Sequence, residues 1–239
     1  MTPDGNQVNS MQWKADRQAA RGRSADRYNS QAAEQYDGVP GLGTLSAEMQ
    51  SALLADLQHV TTIFENADVL DVGAGTGALC SALTDLPLES ITALEPSPSM
   101  LERLKTKPEL KRVRPIVGSC DHDDDRTLFA DSSFDVIASR KVVSSLFDPL
   151  VAFRNWHHWL RVGGHVVIID GLFGRDSYVG DWAEEVDVLP LSTSQSMATV
   201  PYLLEAVGFT IEFVDLTHQW NQTARTPHYI VVASKELSQ

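Results

Sequence analysis

Two cysteines, Cys80 and Cys120, are all the thiols that 239 residues supply, and no CxxC or HExxH pattern accompanies them. So few cysteines cannot build a disulfide framework, and no spacing matches a zinc site; reduced thiols in a cytoplasmic protein are expected. Basic residues are also scarce, with 19 Lys and Arg against 32 Asp and Glu and a formal net charge of -13. Nucleic-acid binding needs a basic surface that releases counterions from phosphates, so a small-molecule substrate is the expectation and nucleic acid is not. No apolar run is long enough to span a bilayer, and the polar N terminus has no apolar signal core, so a soluble protein without a membrane role is expected. No internal repeat is evident.

What the chain does have is 43% hydrophobic residues, enough for one sizeable core. The run VLDVGAGTGAL, Val69 to Leu79, is its most informative stretch. Val69, Leu70 and Val72 read as a buried parallel strand, and Gly73, Gly75 and Gly77 let the backbone turn sharply and come close to a ligand. Asp71 precedes the glycines. About 20 residues on, a second apolar strand from Ile91 to Leu94 ends in Glu95, followed by Pro96. An acid at that spacing can accept both hydroxyls of a ribose.

This combination resembles the class I S-adenosylmethionine (SAM) dependent methyltransferases, whose first motif matches VLDVGAGTGAL and whose second is a strand ending in an acid. The resemblance runs from about Ala67 to Leu172. It implies SAM as cofactor, with Gly73, Gly75 and Gly77 along its methionine part, Glu95 on its ribose, and Asp71 and Pro96 beside them. It also implies a Rossmann-like doubly wound α/β sheet of about seven strands, mostly parallel with an antiparallel last strand. The chain departs from the family after the third strand, where the common pattern carries an acid that contacts adenine and IVGSCDHDDD carries Ser119. Ser119 and Cys120 are therefore the adenine-side pair by position, with Asp121 as the alternative.

Helices and strands alternate through the rest, as a parallel sheet requires. Helices are expected from Ser46 to Val60, Ser97 to Thr106, Leu150 to Leu160 and Val200 to Val207. The remaining strands are expected at 113–117, 134–138, 165–170, 210–215 and 228–233. Residues 1–45 form a polar segment in which Gln12 to Gln35 can be helical, and Tyr28 and Tyr36 are candidate lid residues or a surface dock. The catalytic domain is expected to occupy residues 46–239, with an inserted cap over the acceptor at about Gly171 to Ser196.

On the acceptor side, FDVIASRKVVSSLFDP resembles the family's fourth strand and its following loop. Arg140 and Lys141 can meet an anionic group there, SAM's carboxylate or the substrate's, or form a surface ion pair. Ser144 and Ser145 stand where related sequences often carry histidines, and with Asp170 and Tyr178 they complete the catalytic candidates. The cap's Tyr178, Trp182, Glu184, Glu185 and Asp187 fit a cationic amine through ring faces and carboxylates, or a solvated acidic helix face. The contiguous acids Asp121, Asp123, Asp124 and Asp125 read as a solvated loop, since neighbours in one loop cannot all face one ion and the EF-hand alternation is missing. No metal is expected. Trp156 and Trp159 read as core, with His157 and His158 on the surface.

The function expected is methyl transfer from SAM to a small-molecule acceptor. Two alternatives stand beside it: a cyclase that turns SAM itself into azetidine-2-carboxylate and methylthioadenosine, and a non-catalytic SAM-binding regulatory module.

Overall fold

The structure is a computed structural model that describes residues 15, 18–24, 27–180 and 182–236. Its seven strands are β1 (Asp68–Val72), β2 (Ser90–Glu95), β3 (Arg114–Val117), β4 (Phe134–Arg140), β5 (Leu160–Gly171), β6 (Thr210–Leu216) and β7 (His228–Ser234). They form one sheet in the order β3-β2-β1-β4-β5-β7-β6. Pairs from β3 to β5 are parallel, and β7 lies antiparallel to both β5 and β6. The strand order reverses between β1 and β4, so a crevice opens at their carboxyl ends.

Successive strand residues face opposite sides, and the apolar runs divide accordingly. Val69, Ala93, Val136, Val167 and Ile230 join one core cluster with residues of α2 (Ala47–Leu57), α3 (Ala78–Leu83) and α4 (Pro98–Thr106); α1 (Ser30–Asp37) contributes none of its members. Leu70, Leu94, Ile137, Ile168 and Val231 join the other, covered by α5 (Pro149–Trp159) and α7 (Thr199–Glu205). Trp156 and Trp159 are fully buried there, and His157 and His158 are half-buried. A four-residue helix, α6 (Trp182–Glu185), lies between β5 and α7. Among the described residues no helix is long and apolar enough to cross a membrane.

Side-chain caps start the helices where the sequence offers them. Ser46 accepts from the Met49 amide, Ser97 from Met100 and Asp148 from Val151. The polar N-terminal run is not one helix to Gln35. Residues 18–24 are helical, and the chain breaks at Tyr28 and Asn29, where the Asn29 side chain accepts from the Ala32 amide and starts α1; the expected beginning at Gln12 lies outside the described residues. β5 begins five residues earlier than expected, because Leu160 already pairs with Phe134 and the segment up to Gly164 bulges before pairing resumes at His165.

Gly77 caps α3 at φ 93°, and a Cβ there would sit 2.4 Å from Leu110 and 3.1 Å from Leu104. Gly77→Ala is expected to destabilise the protein by about 2 kcal/mol from the left-handed backbone alone, with the clash in addition. Chemical denaturation measures the loss.

Candidate active site

A cavity of about 320 Å³ opens at the carboxyl ends of β1, β2 and β4. Its floor is the glycine turn that ends β1. Gly73 (φ 68°) and Gly75 (φ 56°) both line it, and a Cβ on Gly73 would collide with Val142 at 2.4 Å. At Gly75 the space is open, bounded by the Tyr36 ring at 3.8 Å. The Gly73 and Ala74 amides donate to the Leu94 carbonyl, which fastens the turn to the end of β2.

There Glu95 lines the cavity with both carboxylate oxygens held by main-chain donors. The Gly75 amide donates to Oε2 at 3.0 Å and the Ser97 amide to Oε1 at 2.9 Å. Each oxygen keeps acceptor capacity for a further donor, so the group is oriented without being saturated. Burial outweighs those two bonds and pushes its pKa up to about 7.

The N-terminal segment covers this floor. Tyr28 and Tyr36 line the cavity and meet edge to face, with ring centres 6.3 Å apart. Burial raises both phenols above their usual range. The Ser97 hydroxyl donates to the Tyr28 carbonyl at 2.7 Å, and Arg21 donates to Asp121 at 2.6 Å while lying over the Phe147 ring. Arg27 forms a two-pronged pair with Glu185 at 2.8 and 3.0 Å.

Residues 70–168 match the family model described as "Methyltransferase domain". Over that stretch, from the glycine turn into β5, the chain is similar to the class I SAM-dependent methyltransferases. It is 28% identical over 108 residues, 45% of its length, to a demethylmenaquinone methyltransferase of Chlorobaculum parvum, and 27% identical over 109 residues to that of Chlorobaculum tepidum. The matches span 42% and 43% of those relatives, so the chain covers less than half of their length. A SAM-dependent methyltransferase from Aquifex aeolicus superposes with a TM-score of 0.61 at 17% identity, over 87% of this chain and 99% of that one. The phosphoethanolamine N-methyltransferase 2 of Haemonchus contortus, solved with S-adenosyl-L-methionine, gives 0.64 at 17% identity, over 88% and 58%. At such identities the likeness speaks for the fold.

Within this methyltransferase fold the structure gathers some of the candidate residues and separates others. Gly73, Gly75, Glu95, Pro96, Ser119, Cys120, Arg140 and Ser145 line one cavity. Gly77 and Asp71 lie behind it. Asp71 is buried in the sheet, accepts from the Cys80 thiol at 3.0 Å, and has its pKa pushed up to about 7 by burial. Ser119 donates to Asp125 at 2.6 Å, and burial pushes the Cys120 thiol well up. Asp121 also lines the cavity, but its carboxylate is engaged by Arg21 and by the Phe147 and Asp148 amides. Asp125 accepts from the His122 amide as well. Among the described residues no three His, Cys, Asp or Glu side chains converge to hold a metal ion.

The catalytic candidates need correction in position. Asp170 stands at the end of β5 as expected, yet its side chain does not reach the cavity: it is fully buried. Oδ1 accepts from the Ser144 hydroxyl and the Gly171 amide, and Oδ2 from the Ser144 amide. Burial pushes its pKa up to about 6. Ser144 is consumed by the same contacts, and of the two serines only Ser145 lines the cavity. Tyr178 does not line the cavity either; its phenol lies beside Ser144 and Asp170, with its hydroxyl donating to the Ser192 carbonyl.

None of the described residues of the inserted segment, Gly171 to Ser196, lines the cavity. The segment braces the N-terminal cover instead: Leu189 packs with Ala20 and Phe147, and Glu185 holds Arg27. Its acids therefore do not form a cation site on the cavity. Asp187 pairs with Arg175, and Glu184 is exposed.

Sequence reasoning missed Arg21, Phe147 and the Arg27–Glu185 pair. Their partners lie 100 and 158 residues apart in Arg21–Asp121 and Arg27–Glu185, and no local pattern announces such contacts. Arg27→Met strands a Glu185 side chain that is 1% exposed. The expected cost is about 3 kcal/mol, so trypsin cleavage at Arg21 and Arg23 should accelerate about a hundredfold, as timed gels would show.

Proposed function

We propose that the protein transfers the methyl group of SAM to a small-molecule acceptor by in-line displacement. The observation that carries this reading is the convergence of the glycine turn, the Glu95 carboxylate and the Ser119–Cys120 segment on one covered cavity. These residues fit SAM: the open space at Gly75 admits a ligand against bare backbone, and Glu95 keeps acceptor capacity for a diol. Bound SAM supplies an already activated methyl group on a sulfonium centre.

The chain's own residues then have three tasks. Glu95 accepts the ribose hydroxyls, while Gly73 and Gly75 let the backbone approach, with Pro96, Ser119 and Cys120 beside the adenosine. Residues 1–45 act as a lid through Tyr28 and Tyr36, which exclude water and hold the acceptor in line. Asp170 is a positioning residue: by binding the Ser144 amide and hydroxyl it sets the turn after β4 that presents Val142 and Ser145 to the cavity. Asp71 and Gly77 support the glycine turn from behind.

Incubating the purified protein with SAM, alone and with pooled small-molecule acceptors, tests the reading by mass spectrometry. S-adenosylhomocysteine (SAH) that forms only with an acceptor is expected. Methylthioadenosine formed from SAM alone would replace methyl transfer by attack within SAM's own side chain. Binding of SAM without any product would leave a binding module.

A further inference from the structure

The charged groups around the cavity are not all paired directly. Glu95 and Asp121 both line it, but the first is held by two amides and the second by Arg21 and two amides. Arg140 and Lys141, at the end of β4, also line it, and among the described residues neither has a carboxylate within 4.0 Å. Their acceptors are main-chain carbonyls of one covering loop: Arg140 donates to Gly41 at 2.5 Å and Leu42 at 3.4 Å, and Lys141 to Gly41 at 3.0 Å.

Both cations are substantially buried, and the Trp220 ring backs them at 4.6 Å from the guanidinium and 5.8 Å from the ammonium. Carbonyl dipoles and a ring face offset only part of the cost of desolvating two adjacent like charges. Lys141 accordingly has its pKa pushed down to about 7 by burial and by Arg140. The backbone is strained at the same residue: Lys141 adopts φ 59°, a left-handed conformation that a lysine rarely takes, while its amide donates to the Ile169 carbonyl. Strain concentrated at a cavity-lining residue is a mark of function.

We propose that Arg140 and Lys141 form the seat for an anionic group of the methyl acceptor, so that the acceptor is a carboxylic acid or a comparable oxyanion. The inference rests on the methyltransferase reading and names its substrate class. The two cations stand at the end of β4 and Glu95 at the end of β2, with β1 between those strands, and Val142, Ser145 and Phe147 line the same cavity. Asp71 and Asp170 act on the two cations only at longer range; an anion placed there supplies a direct ion pair and fixes one end of the acceptor, leaving its nucleophile to be aligned.

The test uses paired probes, a panel of small carboxylic acids and their primary amides. Binding to the SAH-loaded protein is measured by calorimetry, and turnover with SAM by SAH release. Acids are expected to bind and react, with their amides at least tenfold weaker. Lys141→Met should raise KM for the acids at least tenfold with little change in SAH affinity, and Lys141→Arg should restore most of it. Lys141→Gly, which suits the left-handed backbone, guards against misfolding and should show the same loss. Amides equal to acids, no acid binding at all, or an unchanged KM in Lys141→Met would each overturn the proposal. A drop in SAH affinity in the lysine variants would overturn it by assigning the pair to the SAM carboxylate. If the wild-type protein fails to bind SAH, the methyltransferase reading itself falls; intact SAH binding with indifferent amides removes only the anionic acceptor.

Discussion

Replacing Glu95 by alanine is expected to weaken SAH binding by about two orders of magnitude, since hydrogen bonds to a charged group contribute about 1.5–3 kcal/mol each. Calorimetry gives the number directly, and unchanged affinity would remove Glu95 from the ribose site. The same carboxyl predicts a pH dependence. Its pKa stands at about 7 in the ligand-free protein, and burial is the cause. A diol requires the carboxylate as acceptor, so binding lowers that pKa and releases a proton below it. Affinity should therefore fall up to tenfold per unit as pH drops below about 7, and level off above. Glu95→Gln should flatten the profile.

Stability runs the other way. The folded pKa is raised above the ordinary value of 4.5, so the ligand-free fold binds more protons than the unfolded chain between those two pH values. That contribution is present below about pH 4.5 and is lost as pH rises through about 7. Near neutral pH the protein without SAM gives up stability at the residue proposed to bind the ribose, and Glu95→Gln is expected to melt higher than wild type at pH 8.

Asp170→Ala should cost about 4 kcal/mol, because the buried Ser144 and Gly171 amides lose their acceptor together. For a chain of this length that corresponds to a fall in Tm of roughly 10 °C. Turnover should drop more than SAH affinity, since the turn carrying Val142 and Ser145 loses its anchor while the glycine turn and Glu95 keep theirs. Asp170→Asn retains one acceptor oxygen and should fall between. A general base would lose turnover without loss of stability, so a coincident fall in Tm separates positioning from proton transfer.

The legibility of the site follows the range of its interactions. Gly73, Gly75 and Glu95 were readable because a strand, a turn and a second strand at fixed spacing bring them together within 23 residues of chain. Asp170 was readable as a residue at a strand end, but which groups its carboxyl binds was not. Asp170 meets Ser144, 26 positions back in the chain, only once β4 and β5 are paired. The cap showed the same limit. Its acids and aromatics suggest a cation site as a string of letters, and in the fold Glu185 and Asp187 are taken by arginines.

What the sequence alone determined is the doubly wound sheet, the glycine turn and the acid that faces it, since these depend on period, backbone freedom and short spacing. The tertiary structure decided which candidates share a cavity, that the insertion braces the N-terminal segment, and that among the described residues Arg140 and Lys141 have no carboxylate in direct contact. Those outcomes are set by packing and long-range pairing, such as Arg27 with Glu185 across 158 residues. A side chain's partner is fixed only when the elements that carry both ends have docked.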